Sequence, residues 1–377
     1  MKPHHFDKPL QNRSVFVAAT ALLIALFCLA LQTQPPPARA LPVFARQYGV
    51  SCNACHSIAP KLNINGLAFQ ANYYNWPGGR PLAPGSRLNS VPLSGLVTST
   101  WGNNQNAPTG AQFQALELFA AGGFSPTTGR GGGYWVDYLA GSHNGVRPSF
   151  LDGAWVAVPL AGTQGRLAVR VGQFSPINYQ WNGISSLTQR LPAALTDSVD
   201  NIALDSSTPA VSLEYFSNRG RKTANGLYVD VGMALGGHIT LNQDTRLYAP
   251  QGAYAHAFQR KGLNTGGLFA YRNGSATQEG LIVTRQMTPQ LSLLGVGAVG
   301  GDINGNQQHL SAQADYVFSP ALAFSGRYEY IRGVVHDQYP VATVTWYPFS
   351  QHTLRLSGES VLDGGNRSST VYALIQF

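Results

Sequence analysis

After residue 31 this 377-residue sequence has no apolar run approaching the length of a membrane-spanning helix, which excludes a helical membrane protein beyond its first segment. Charge is scarce too: Asp, Glu, Lys and Arg make up 11% of the chain. The formal balance of +8 is spread without basic clusters, which excludes a nucleic-acid-binding surface. Cysteine occurs three times and methionine three times, with Met233 and Met287 the only ones after Met1. Glycine, at 42 residues, is plentiful, so the composition is not that of an average soluble enzyme.

The first residues present are those of a secretory signal. Lys2, Lys8 and Arg13 precede an apolar block from Val15 to Leu31, and a Pro-rich spacer then ends in Ala38-Arg39-Ala40. Cleavage after residue 40 is the expectation; the alternative is a retained anchor, since the block is near the lower length limit for a spanning helix. Cleavage removes Cys28, which Phe27 makes a poor lipidation site, and takes away Lys2, Lys8, Arg13 and Arg39 with Asp7, so the formal charge falls from +8 to +5.

From about residue 90 one pattern repeats to the end. Segments of about ten residues alternate in polarity and are separated by turn residues, as expected of strands crossing a membrane as a barrel. Ser325, Arg327 and Glu329 alternate with Phe324, Gly326, Tyr328 and Tyr330; His309, Ser311, Gln313 and Asp315 alternate with Leu310, Ala312, Ala314 and Tyr316. Tight turns are expected at 349–351, 319–321, 288–290, 218–225, 161–165 and 125–132, and longer loops between them, including 102–111, 175–209, 238–253 and 333–337. The reading is mainly β: a transmembrane antiparallel β-barrel of about 16 strands over 90–377, with Ala255 to Gln259 the weakest strand. Its final strand ends in the aromatic Phe377 at the periplasmic rim. Charges of both signs (Arg166, Arg170, Glu214, Asp230, Arg285, Asp315, Arg327, Glu329, Arg355, Glu359) are expected to face the lumen and hold its interior together. A tight turn at Ser319-Pro320-Ala321 would set Asp315 opposite Arg327.

Between signal and barrel lies a short module, 41–89, containing Cys52-Asn53-Ala54-Cys55-His56. In a C-x-x-C-H motif the two thiols add to the haem vinyl groups and the adjacent imidazole becomes the proximal iron ligand. A disulfide between Cys52 and Cys55 would not explain the histidine, and a zinc site would want a second ligand pair nearby. One covalent haem c is therefore expected on Cys52 and Cys55, with His56 as proximal iron ligand. A module this small cannot hold a core alone, so the haem should form most of its interior. Leu62, Gly66 and Phe69 recur at helical spacing, and Gly66 permits close approach, whether to the porphyrin or to an ordinary neighbour. Arg46 and Lys61 are candidates to pair with the propionates. For the distal iron position the sequence leaves a barrel residue, with Met287 and His352 singled out because both flank expected periplasmic turns, one of the local donors Lys61, Asn63, Tyr73 and Tyr74, or no ligand at all.

Val43-Phe44-Ala45-Arg46-Gln47, Gly49, the C-x-x-C-H motif, Pro60, Leu62-Asn63, Gly66 and Phe69 together resemble the N-terminal module of outer-membrane monohaem cytochrome-porin fusions. The best-known members are the outer-membrane Fe(II) oxidases of iron-oxidising bacteria. The resemblance implies a protein of the bacterial outer membrane that passes electrons from an extracellular donor, plausibly Fe(II), through its haem to a periplasmic acceptor such as a soluble cytochrome. It would then be an Fe(II):cytochrome c oxidoreductase or a non-enzymatic carrier. A second reading makes the chain a diffusion porin whose haem module is a plug, sensor or docking unit; the lumenal arginines suit an anion-selective pore. The loop 175–209, with Asp197, Asp200 and Asp205, is expected to bind a cation, fold into the lumen, or do neither. A peroxidase-type enzyme would need a distal acid-base residue, and the sequence offers no local candidate.

Overall fold

The computed structural model describes residues 43–77, 79, 93–104, 107–125, 131–141, 149–163, 166–175, 180, 187–188, 192–196, 207–221, 224–235, 251–274, 276–302, 305–333, 336–348, 354–363 and 366–376. The signal segment with Cys28, the loop carboxylates Asp197, Asp200 and Asp205, His352 and Phe377 lie outside these residues. Helix α1 (Val43–Tyr48), a single 3-10 turn (Cys52–Ala54), a small hairpin of β1 (His56–Ile58) and β2 (Lys61–Leu62), and helix α2 (Ile64–Ala71) come first. Sixteen antiparallel strands follow, from β3 (Leu93–Asn104) to β18 (Asn366–Gln376), and β18 pairs with β3 to close the barrel. Closure leaves no sheet edge, which is what allows a sheet to cross hydrocarbon with every backbone polar group satisfied.

Burial is inverted relative to a soluble protein. Leu268, Phe318 and Met233 point outward and are 67%, 65% and 60% exposed, while Arg170, Glu214 and Asp315 point inward and are 0% exposed. This is the apolar-out, polar-in alternation of a membrane barrel. The weakest expected strand is real: β10 (Gln251–Lys261) turns Tyr254, His256, Phe258 and Arg260 inward and alanines outward. Its alternation is of size more than of polarity, which is why it reads poorly from sequence.

Three expectations need correction. The loops do not simply alternate tight and long. At the end opposite the N-terminal segment, strands reach Asn104 and Ala107, and Asp302 and Gly305, running on into the loops expected at 102–111 and 303–307 and leaving short links; the lengthy links are 175–207 and 236–250. Arg285 lies on the outward side of β12 (Ala276–Gln286), on the same face as Leu281 and Val283 and close to the strand end, where a long basic side chain can reach the membrane surface. Asp315 stands opposite Ser325, not Arg327, because the connection between β14 (Gly305–Ser319) and β15 (Leu322–Arg332) is two residues long and followed by a register shift. Ser325 Oγ and Gln313 Nε2 donate to Asp315 at 2.6 and 2.7 Å, and Arg327 pairs with Glu329 at 2.5 Å.

The lumen is filled by two parts of the same chain. The segment 43–77 sits in one mouth, hereafter the plug end. Lys61 Nζ makes an ion pair with Asp315 at 2.9 Å, Tyr73 OH donates to Glu214, Asn72 Oδ1 accepts from Gly220 N, and Tyr347 OH donates to the Ala59 carbonyl. From the other end, the described residues Gln180, Leu187, Thr188 and 192–196 of the connection 175–207 lie in the lumen. Gln180 Nε2 donates to the Ile282 carbonyl at 2.9 Å, Gln278 Nε2 donates to Ala194 O in helix α3 (Ala193–Thr196), and Leu187 packs with Ile58, Ala59 and Tyr347. This is the lumenal placement that the sequence left open for the loop.

Removing one partner of a buried ion pair leaves an uncompensated charge, a loss of about 3 kcal/mol or more. Lys61→Met should therefore lower the unfolding midpoint of the detergent-held protein, and the double substitution Lys61→Met/Asp315→Asn should recover most of the loss. Equal losses in the single and double variants would show that this pair does not hold the plug.

Candidate haem site at the mouth of the barrel

The motif is shaped by its own backbone before anything else touches it. Gly49 takes φ +62, a conformation that suits glycine, and turns the chain out of α1 into the 3-10 turn. Cys55 N donates to Cys52 O at 3.1 Å, so the two thiols lie one tight turn apart. Both cysteines are free thiols. Burial, and secondarily Cys52, pushes the Cys55 thiol up to about 11, so in the apo chain it is a neutral thiol at neutral pH.

Asn63 braces this turn. Its Oδ1 accepts from Asn65 N and Gly66 N at 2.9 and 3.1 Å, which caps α2, while its Nδ2 donates to the Asn53 and Ala54 carbonyls at 3.0 and 3.3 Å. Asn63 N completes the brace by donating to Cys55 O at 2.8 Å. Sequence reasoning placed Asn63 among the distal donors; an Asn directly before Ile-Asn-Gly was a readable N-cap signal. Gly66 does allow a close approach, to the motif itself: a Cβ there would lie 2.2 Å from Cys55 O and 2.8 Å from Leu62 Cδ2.

His56 Nδ1 lies 3.1 Å from the Pro60 carbonyl. Since a carbonyl only accepts, Nδ1 carries the proton and the lone pair resides on Nε2, the tautomer and ring fixation required of a metal-ligating imidazole. Two free thiols one turn apart, followed by an imidazole in that tautomer, fit covalent haem.

The surroundings differ from expectation in one respect. The segment has an aromatic core of its own: Phe44, Tyr48, Phe69, Tyr74 and Trp76 contact one another with centroids 4.7 to 5.9 Å apart. Tyr48 and Phe69, the two that are buried, contribute roughly 1.5–3 kcal/mol each. The barrel completes that core through Trp155 and Trp135 against Tyr74, and through Ala224 and Leu263 beside Leu67 and Ala68. Tyr73 and Tyr74 adopt left-handed φ values of +51 and +60, unfavourable for bulky residues by about 1–2 kcal/mol each. The Tyr73 bond to Glu214, and Arg219 seated 3.9 Å over its ring, hold that conformation.

The other sequence candidates are placed as follows. Lys61 is committed to Asp315 and Ser292, Tyr73 to Glu214, and Arg46 to the Leu93 carbonyl, so these groups have barrel partners already. Met287 is 55% exposed in the connection 287–290 at the plug end; Met233 faces outward. Inward histidines are engaged elsewhere, His256 Nε2 with Gln180 and His309 Nε2 with Gln307. Among the described residues no group of three or more His, Cys, Asp or Glu is arranged to hold a bare metal ion. Two lumenal arginines are paired beside the module: Arg170 bridges Glu214 and Asp230 at 2.8 and 3.1 Å, and Arg219 approaches Glu214 at 3.9 Å.

The barrel also matches solved structures. The OmpF porin of Salmonella typhi superposes with a TM-score of 0.57 at 12% identity over 76% of this chain and 97% of that one. The chain has a porin-type fold. OmpT of Vibrio cholerae gives 0.53 at 8% identity, and an anion-selective porin from Comamonas acidovorans gives 0.53 at 12%; each covers 76% of this chain, and 99% and 98% of the respective porin. No family model and no curated protein matches the sequence.

Gly66→Ala is expected to push α2 off the Cys55 carbonyl and cut the yield of protein carrying covalent haem several-fold, with the barrel still folded by its heat-modifiable mobility on gels. Unchanged haem incorporation would mean that the close approach does not shape the motif.

Proposed function

We propose that this chain is an electron-transfer protein of the bacterial outer membrane, with one haem c attached at Cys52 and Cys55 in a module that plugs a porin-type barrel. The observation that carries the reading is the C-x-x-C-H motif, with His56 Nδ1 tied to the Pro60 carbonyl, seated inside the mouth of a closed membrane barrel. Bound there, haem c would supply one-electron redox chemistry. The chain's own residues do the rest. His56 offers Nε2 to the iron, Asn63 and the Gly66 contact hold the turn that spaces the thiols, and Lys61, Asn72 and Tyr73 fix the module to the wall.

A single redox centre cannot span a membrane about 30 Å thick, so donor or acceptor must approach within the barrel. On this reading the plug end faces the periplasm, where a soluble carrier such as a cytochrome takes the electron. The donor is Fe(II) outside, which gives up one electron from the far side of the lumen and leaves as Fe(III). The resemblance to cytochrome-porin fusions supports Fe(II) as donor, and the distal ligand is Met287 or His352 if either completes the iron's coordination.

A diffusion porin with the module as plug, sensor or docking unit is the second reading, and the fold likeness to porins favours it. Against free anion passage stands the pairing of three lumenal arginines, Arg170 and Arg219 with Glu214 and Asp230 and Arg327 with Glu329, which weakens the positive field that such a pore uses.

Adding Fe(II) to the purified oxidised protein over a range of acidity should produce the sharp bands of a reduced c-type haem, and planar-bilayer recordings should show conductance near zero. Reduction by dithionite alone, together with large open-channel steps, would favour the porin. Met287→Ala and His352→Ala test the distal position: loss of the low-spin spectrum in one of them identifies the ligand, and unchanged spectra in both remove the pair.

A further inference from the structure

The two ends of the barrel differ in charge. The plug end is built from 43–77 and from seven hairpin connections, at 124–132, 160–166, 217–225, 262–263, 287–290, 320–321 and 347–353. In sequence those connections contain no Asp or Glu, yet they hold Arg130, Arg166, Arg219, Arg221 and Lys222. Residues 41–92 repeat this bias, with Arg46, Lys61, Arg80 and Arg87 and no acidic residue. The carboxylates near this end that reach the module, Glu214 and Asp315, are fully buried and already paired. Connections at the far end carry both signs, with Asp197, Asp200, Asp205 and Asp244 beside Arg147, Arg190 and Arg246.

Four of the basic residues are exposed on successive hairpins around the plug: Arg166, Arg221, Lys261 at the end of β10 and Arg285 near the end of β12. Among the described residues none of the four makes an ion pair. Lys261 and Arg285 lie on the outward face, where phospholipid headgroups meet the barrel. Arg166 and Arg221 lie instead in the connections themselves, with backbone amides bonded to Thr163 O and Asn218 O at 3.1 Å; Arg166, expected in the lumen, is exposed at its rim, and Gly220 beside Arg221 donates to Asn72 of the module. Among the described residues this end exposes charge of one sign, and such a face steers an oppositely charged partner and repels a like-charged one.

We propose that the plug end is the docking surface of an acidic soluble electron-carrier protein, with Arg166 and Arg221 at the contact. The partner's chemistry rests on the electron-transfer reading; the charged surface does not.

The test uses the full-length protein in detergent and two labelled probes, flavodoxin as an acidic carrier and cytochrome c as a basic one, with binding read by fluorescence anisotropy at low and high salt. Flavodoxin should bind with salt-sensitive affinity and cytochrome c should not. Arg166→Gln/Arg221→Gln should weaken flavodoxin binding about tenfold, and Lys261→Gln/Arg285→Gln less than twofold. Equal binding of the two probes, or indifference to Arg166→Gln/Arg221→Gln, overturns the proposal. So does a protein that ignores flavodoxin while Lys261→Gln/Arg285→Gln alone weakens its retention in phosphatidylglycerol nanodiscs, which would make the basic rim a lipid contact. Binding is read without haem reduction, so a chain that binds flavodoxin yet shows no haem spectrum would fail the electron-transfer reading alone. A haem-bearing chain that ignores flavodoxin would fail only the docking proposal.

Discussion

A closed sheet in hydrocarbon must turn its polar side chains inward, and everything specific to this molecule follows from what that polar lumen has to accommodate. Asp315 and Glu214 are buried carboxylates on the barrel wall, and each is met by a donor from the N-terminal segment, Lys61 for one and Tyr73 for the other. Isolated, either charge would cost several kcal/mol to bury. Matched, they fix where the module sits and which way it faces. The plug is thus part of the barrel's electrostatic solution, and residues 40–377 form one compact unit.

The same constraint explains how a segment of this size is ordered at all. It has five clustered aromatic rings but cannot enclose them alone, and Trp135, Trp155, Ala224 and Leu263 of the barrel close the remaining sides. Haem need not supply most of the interior, as the sequence implied; the barrel contributes a large part. The segment entering from the far end touches the module through Leu187, so the wall, the lumenal loop and the plug share one packed interior.

The elements readable in sequence were those governed by local period or spacing. Alternation at 305–332 placed Ser311, Gln313, Asp315, Ser325, Arg327 and Glu329 correctly inside, and the C-x-x-C-H spacing singled out two cysteines that the structure holds in one turn and the histidine that follows at the start of β1. What escaped was set by register and by contacts between distant parts of the chain. A two-residue connection and a register shift moved Asp315 from Arg327 to Ser325 and left it for Lys61. Arg285 was misassigned because a strand end near the membrane surface admits an outward charge. Asn63 was weighed only as an iron donor, although its place directly before Ile-Asn-Gly already signalled the cap that the structure shows for α2.

The central claim is that Cys52 and Cys55 carry a haem inside this barrel. Mass spectrometry of the intact protein purified from its native membrane, with peptide mapping and a pyridine haemochrome spectrum, tests it most directly. The account predicts one haem per chain, linked by thioethers to the peptide containing both cysteines. A chain of unmodified mass, or one whose two cysteines are joined to each other, would contradict it.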